Sequence, residues 1–270
     1  MLIELVQTMN FGAIQVLTTT TKHLEGLKMN IELLRDDAHY YGAEGKKYLS
    51  NSDIGILLSN PKMYGVSRPD NKNFMDGRYF HQSILEPDKA MNTRFVEASS
   101  RNTNLYKEYI KAHELPFCML KNEIEEIDAL VSVIKSNIYF FDEIYKEGNL
   151  FEEPAIGEIK GMLWKGKADI ITDEVIIDLK TTGDIQKFKY SAKSYNYDSQ
   201  CYIYQQLFGK PLVFFVADKN TQQLGVFRPT EEFIKGGEAK VEKAIEVYKK
   251  FFGAKAEESI DNYFIDELLH

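Results

Sequence analysis

A chain of 270 residues with 44% apolar content, 17 Phe and 16 Tyr can bury a large aromatic core, in one domain or two small ones. Its net charge of −8 argues against a protein that coats nucleic acid over its whole surface, and no apolar run reaches the ~18 residues of a membrane span. Its two distant cysteines, Cys118 and Cys201, make neither a disulfide framework nor a four-cysteine zinc or iron–sulfur site.

The opening residues lack a basic stretch followed by an apolar run and a small-residue cleavage site, so a cytoplasmic protein is expected. Charge is unevenly distributed: residues 160–193 hold seven lysines against five acids, and residues 255–270 hold one lysine against five acids. A locally basic centre in an acidic body suits a polyanion bound in one cleft, and it suits an ordinary enzyme as well.

Residues 1–29 contain two β-like runs, 2–8 and 13–20, around Asn10-Phe-Gly12, and read as an N-terminal extension with a hairpin. A short helical pattern at Ile31, Leu33 and Leu34 leads to a glycine-containing connector. Leu49-Ser-Asn-Ser-Asp53 writes a helix start, with Ser50 able to cap and Asp53 at the third position, and Asn60-Pro61 breaks that helix. Residues 74–87 have helical spacing, with Phe74, Gly77, His81 and Leu85 near one face, and end before Pro87. Gly77, one turn before His81, leaves space for another backbone or a ligand. Taken alone, His81 reads as a hydrogen-bonded core histidine and Arg78 as a solvated charge. Residues 122–145 repeat Ile124, Ile127, Leu130, Val131, Ile134 and Ile138 at helical intervals and read as scaffold.

Residues 153–204 organise the rest. A strand-like run at 150–156 contains Glu153, Lys160-Gly161 makes a turn, and residues 161–171 and 174–179 have strand character. Each of the latter carries one acid, Asp169 and Asp178. Lys180 follows Asp178 by two residues, so a strand points both side chains to one face. Buried charges must be paired or bind an ion. A divalent cation would satisfy Asp169 and Asp178 together; a buried Asp–Lys salt bridge accounts for the pattern too. A loop with Lys187, Lys189 and Lys193 follows. A helix over 195–208 then puts Tyr197, Gln200, Cys201, Tyr204 and Phe208 on one stripe, where the Gln200 amide needs a polar partner. Beyond it come a strand at 212–217, its hairpin partner at 224–227, and an amphipathic helix from Thr230 or Glu231 to Phe252. The acidic, apolar tail 254–270 suits a docking or oligomer segment and suits simple disorder equally. The absence of a phosphate-cradling glycine loop and of a nucleophile elbow leaves nucleotide hydrolysis, dinucleotide chemistry and serine hydrolysis without support.

In chain order the chemical candidates are His81, Glu153, Asp169, Asp178-Leu-Lys180 and Gln200…Tyr204. With them the sequence resembles the PD-(D/E)XK nuclease superfamily, in its RecB-type and phage-type branch and particularly the RecE-like exonucleases. Tyr48–Asp53 with Asn60–Tyr64 looks like that branch's opening helix, and Gly77-Arg-Tyr-Phe-His81 with Leu85-Glu-Pro87 looks like its histidine motif. Gly166-Lys-Ala-Asp169 and Ile177-Asp-Leu-Lys-Thr-Thr182 resemble the catalytic core, and Tyr197-Asp-Ser-Gln200-Cys-Tyr-Ile-Tyr204 resembles the Q-x-x-x-Y motif. The likeness covers about residues 30–230.

The resemblance implies an α/β (α+β), restriction-endonuclease-like core over residues 30–253, with a central mixed sheet in an α-β-β-β-α-β arrangement flanked by helices. Metal ligands carried over are His81, Asp169, Asp178 and the Leu179 carbonyl. Glu153 corresponds to an acid that helps hold a second metal or its waters, with Glu152 and Glu158 left open in register. Lys180 would position or deprotonate the attacking water, with a lowered pKa beside the metals. Gln200 and Tyr204 would orient that lysine or the DNA backbone. Lys187, Lys189, Lys193, Thr181, Thr182, Arg78 and Tyr197 are the expected DNA contacts. Oxygen ligands suit Mg²⁺, and one imidazole admits Mn²⁺. The implied activity is a metal-dependent exonuclease acting on double-stranded DNA ends and leaving single-stranded overhangs for phage-type recombination. It would work as a ring-shaped homo-oligomer with a single-strand annealing recombinase. The iron–sulfur relatives need four cysteines, which this chain lacks, and no helicase motif is present. The alternatives are a structure-specific or single-strand nuclease on the same site, and a non-catalytic DNA-end-binding protein on a degenerate fold. Every chemical position being filled speaks against the latter.

Overall fold

A two-residue turn sets the register of the central sheet. Lys160 and Gly161 both have positive φ, 51° and 77°, the conformation whose twist matches a tight hairpin. The turn joins β1 (Leu150–Ile159) to β2 (Met162–Ile171), and Ile159 faces Met162 across it. The left-handed conformation is costly for lysine, and Lys160 is held there by ion pairs to Glu238 and Glu242, each at 2.8 Å. In this computed structural model, which describes residues 30–67 and 69–266, the hairpin expected within 1–29 lies outside the described residues.

β3 (Ile176–Thr182) runs antiparallel to β2, β4 (Leu212–Asp218) runs parallel to β3, and β5 (Leu224–Phe227) runs antiparallel to β4. The five strands lie in chain order across a mixed sheet. Helices α1 (Asp37–Tyr41), α2 (Asn51–Ser59), α3 (Lys72–Leu85), α4 (Lys121–Ser136) and α5 (Ile138–Tyr145) precede β1; α6 (Phe188–Ser194) and α7 (Tyr197–Phe208) connect β3 to β4; α8 (Glu231–Phe251) follows β5. This is the α-β-β-β-α-β core that the resemblance implies.

The sheet is buried on both faces, which is why β3 and β4 read as continuous apolar runs. Ile176, Phe214 and Val216 pack with Trp164, Ile203, Val241 and Ile245 on the side of α2, α7 and α8. Ile177, Leu179 and Phe215 pack with Phe80, Ile127, Ile134 and Phe140 on the side of α3, α4 and α5. Asp178 and Lys180 therefore share the α7 side of β3, as period two requires.

Local signals account for most boundaries. The Asp53 carboxylate accepts from the backbone N–H and the hydroxyl of Ser50, both at 2.8 Å, and starts α2. α3 ends at Leu85, before Pro87. Two expectations need correction. Residues 122–145 are two helices, because the Asn137 side chain accepts from the Phe140 N–H at 3.1 Å and begins α5 anew. The segment holding Lys187, Lys189 and Lys193 is largely helical, since Asp184 accepts from the N–H groups of Gln186 and Lys187 and buried Phe188 and Ala192 anchor α6 four residues apart. Of the tail, residues 254–266 turn back on the body: Tyr263 meets the Phe251 ring edge-on at 5.9 Å, and Lys62 Nζ donates to the Asp261 carbonyl at 3.3 Å.

α7 and α8 make close backbone contact. A Cβ at Gly237 would stand 2.0 Å from the Asp198 carbonyl oxygen, whose side chain is also held by Lys240 at 2.9 Å. Gly237→Ala is expected to destabilise the fold by about 1–3 kcal/mol or more, as overpacking does. A thermal unfolding midpoint equal to that of the parent would contradict this contact.

Candidate active site

The ladder between β2 and β3 ends where the acids sit. Ile171 faces Ile176 and Ile170 faces Ile177, and beyond these the two strands separate. The Leu179 N–H, freed by the split, donates instead to Asp169 Oδ2 at 2.7 Å. A side chain thus replaces a ladder partner, and Asp169 is locked beside β3. His81, on α3, reaches both: its Nε2 donates to the Leu179 carbonyl at 2.9 Å, and its Nδ1 lies 3.4 Å from Asp169 Oδ2.

Asp178 is 1% exposed. Gln200 Nε2, from α7, donates to its Oδ1 at 2.6 Å, and the Lys180 ammonium lies against its Oδ2. That oxygen has ion-pair contact but no hydrogen bond. Lys180 sits 4.9 Å from the centre of the Tyr197 ring. Tyr204 donates to the Lys167 carbonyl at 2.9 Å and so anchors β2 one turn of the pleat before Asp169. The Gln–Tyr pair therefore orients Asp178 and the β2 backbone, and through Asp178 it bears on Lys180.

Electrostatics follow from burial and crowding. Burial pushes the His81 imidazole down, but Asp169 outweighs it and raises the group to about 9. Burial raises the Asp169 carboxyl, and His81 and Lys180 more than reverse that, leaving it below its ordinary value. Asp178 is pushed up, first by burial, against the pull of Lys180. Burial lowers Lys180, yet Asp178 first, then the Tyr197 phenol and Asp169, carry it above the ordinary lysine range. In the protein alone, two carboxylates face the ammonium and favour its charged form.

Glu153 needs a correction. Its carboxylate is taken by Arg35 in a two-point pair, 2.7 and 2.8 Å, and it stands opposite Ala168. In the same register Glu152 falls level with Asp169, and its backbone leaves the ladder with φ of 50°. His81, Glu152 and Asp169 each offer one ligand atom within 4.8 Å of the others. Burial, then Asp169, raises the Glu152 carboxyl to about 8. The sequence carried a signal for this. A two-residue turn at Lys160-Gly161 pairs residues symmetrically about it, and counting back brings Glu152, not Glu153, to Asp169.

One imidazole, two carboxylates, the nearby Leu179 carbonyl and the Asp178 oxygen that accepts no hydrogen bond form a largely oxygen donor set, and they fit a divalent metal. His81, Glu152, Asp169, Asp178 and Lys180 line one cavity of about 340 Å³, within the range of ligand clefts. Its walls include Tyr41, Phe74, Gly77, Arg78 and Lys167. Arg78 and Lys180 are both among the lining residues. Thr181, Thr182, Lys187, Lys189, Lys193 and Tyr197 do not line it; the three lysines are exposed outside it. Lys167 was missed in the sequence, where alternation alone would have placed it on the face of Asp169.

Among the described residues no helix is long and apolar enough to cross a membrane. Residues 62–259 match the family described as a PDDEXK-like domain of unknown function (DUF3799). The fold is similar to that of a Eubacterium rectale protein provisionally assigned as an exonuclease, with 18% identity and a TM-score of 0.57, covering 87% of this chain and 96% of that one. A phage-related exonuclease from Haemophilus somnus is similar at 16% identity and a TM-score of 0.31, covering 57% of this chain and 88% of that one. None of the curated proteins matches the chain.

Proposed function

The chain belongs to the PDDEXK-like family DUF3799, and on that footing we propose that it is a divalent-metal-dependent DNA nuclease that degrades strands from their ends. The observation that carries the proposal is the convergence of His81, Glu152 and Asp169 within 4.8 Å, in the cavity that also holds Asp178 and Lys180.

Phosphodiester hydrolysis needs an activated water and stabilisation of charge gathering on phosphorus. A divalent cation supplies both when bound, by lowering the pKa of water and by neutralising phosphate oxygens. His81, Asp169, Glu152 and Asp178, with the Leu179 carbonyl, are the proposed ligands. Gln200 holds Asp178 in one rotamer, and the Leu179 N–H does the same for Asp169; such fixed geometry removes orientational freedom before the reaction begins. Lys180, kept charged by Asp178, donates a hydrogen bond to the attacking water or to the phosphate. Arg78 and Lys167 at the wall meet flanking phosphates. Lys187, Lys189 and Lys193, with Thr181, Thr182 and Tyr197, form a proposed outer track for the DNA backbone.

The exonuclease name of the Eubacterium rectale protein supports end-directed cleavage over internal cleavage. Resemblance to RecE-like enzymes extends the proposal to duplex ends, overhangs for recombination, an annealing partner and a ring of copies. The test is digestion of end-labelled linear duplex beside a covalently closed circle, with Mg²⁺, with Mn²⁺ and in EDTA. Loss of the linear form with either cation, and neither loss in EDTA nor attack on the circle, is the expected result. Equal digestion in EDTA, or none with either cation, would sink the proposal.

A further inference from the structure

The acid-lined cavity has two aromatic rings on its walls that no packing requirement explains. Phe74 is 47% exposed and Tyr41 is 61% exposed, and both line the cavity. Neither belongs to any of the apolar clusters that build the core. Each is nonetheless held in place. The Arg78 guanidinium lies 4.5 Å from the centre of the Phe74 ring, and Arg78 is itself 3.6 Å from Asp70. The Tyr41 ring packs edge-on against Tyr40 at 5.0 Å. Beside Phe74, Gly77 leaves its stretch of wall open, with nothing within 4 Å of where a side chain would begin.

A single exposed aromatic is ordinary. Two held aromatics in one cleft, one backed by a guanidinium and both close to a proposed phosphodiester site, form the stacking surface that unpaired bases use, since every base offers a π face. We propose that Phe74, backed by Arg78 and accompanied by Tyr41, is a nucleobase-stacking subsite, so that the strand being cut enters the cavity with a base already unstacked from its duplex neighbour. This rests on the nuclease reading and adds to it the form of the substrate: a frayed or single-stranded terminus. A duplex step with both bases stacked does not meet the ring.

The test uses the full chain with Ca²⁺ as the added cation and single-stranded oligonucleotides carrying 2-aminopurine at each near-terminal position in turn. Fluorescence should be quenched at one position by the parent and by Phe74→Trp, and not by Phe74→Ala or Phe74→Leu. In digestion with Mg²⁺, Phe74→Ala should raise KM about tenfold, the weight of one lost stack, with kcat within about twofold. Phe74→Leu keeps an apolar side chain without an aromatic face, so a Phe74→Leu variant indistinguishable from the parent in both assays overturns the subsite. Parent protein that digests DNA while Phe74→Ala matches it in quenching and KM overturns the subsite alone. Parent protein that neither binds nor digests DNA overturns the nuclease reading and the subsite together.

Discussion

Asp178→Asn is expected to slow digestion of linear duplex by about 10³-fold or more while leaving the protein folded. The substitution keeps the shape of the side chain and an oxygen for the Gln200 amide, now 2.6 Å away, to donate to. It removes one negative charge from a group that is 1% exposed and faces Lys180. Charge stabilisation of several kcal/mol at the reacting phosphate corresponds to about three decades of rate. Folding is spared because Asp169 also raises the Lys180 ammonium and remains as its counter-charge. Lys180→Met should cost a similar factor through the other half of the pair. The measurement is initial rate together with thermal unfolding; an Asp178→Asn protein within tenfold of the parent rate would remove Asp178 from the chemistry.

The second large effect separates neighbours. Glu152→Gln should weaken the cation requirement's affinity by about 10- to 100-fold, seen as a shift in the Mg²⁺ concentration for half-maximal digestion and in cation titration followed by calorimetry. Glu153→Gln should leave that curve in place. It removes only a two-point pair with Arg35, and Glu153 is not part of the cluster of His81, Glu152 and Asp169. The reverse outcome, a shift with Glu153→Gln and none with Glu152→Gln, would return the site acid to position 153 and contradict the observed register.

These two experiments probe different kinds of knowledge about the chain. Asp178 and Lys180 were legible because alternation in a strand depends on nothing but spacing. His81 was legible as a helical residue one turn beyond a glycine, although only the fold shows what its ring touches. The Glu152 assignment required the hairpin register. The Lys160-Gly161 turn was legible, and counting back from it reaches Glu152; the support that Glu238 and Glu242 give from α8 to the unfavourable left-handed Lys160 was hidden in a distant stretch of chain. The helical form of the lysine-rich segment was hidden likewise, because its anchors, Phe188 and Ala192, have meaning only against the sheet they cover.

By itself, the sequence determined the order of the strands, the main helix starts and stops, and the shared face of Asp178 and Lys180. Each of these follows from local periodicity, capping and the cost of burying charge. Only the tertiary structure decided that β2 and β3 part at Asp169, that the Leu179 N–H turns to that carboxylate, that Gln200 serves Asp178, and that Glu152 joins His81 while Glu153 goes to Arg35. Those choices depend on which distant groups come within about 3 Å, the range over which a hydrogen bond or ion pair can offset desolvation. Spacing along the chain carries no record of that distance.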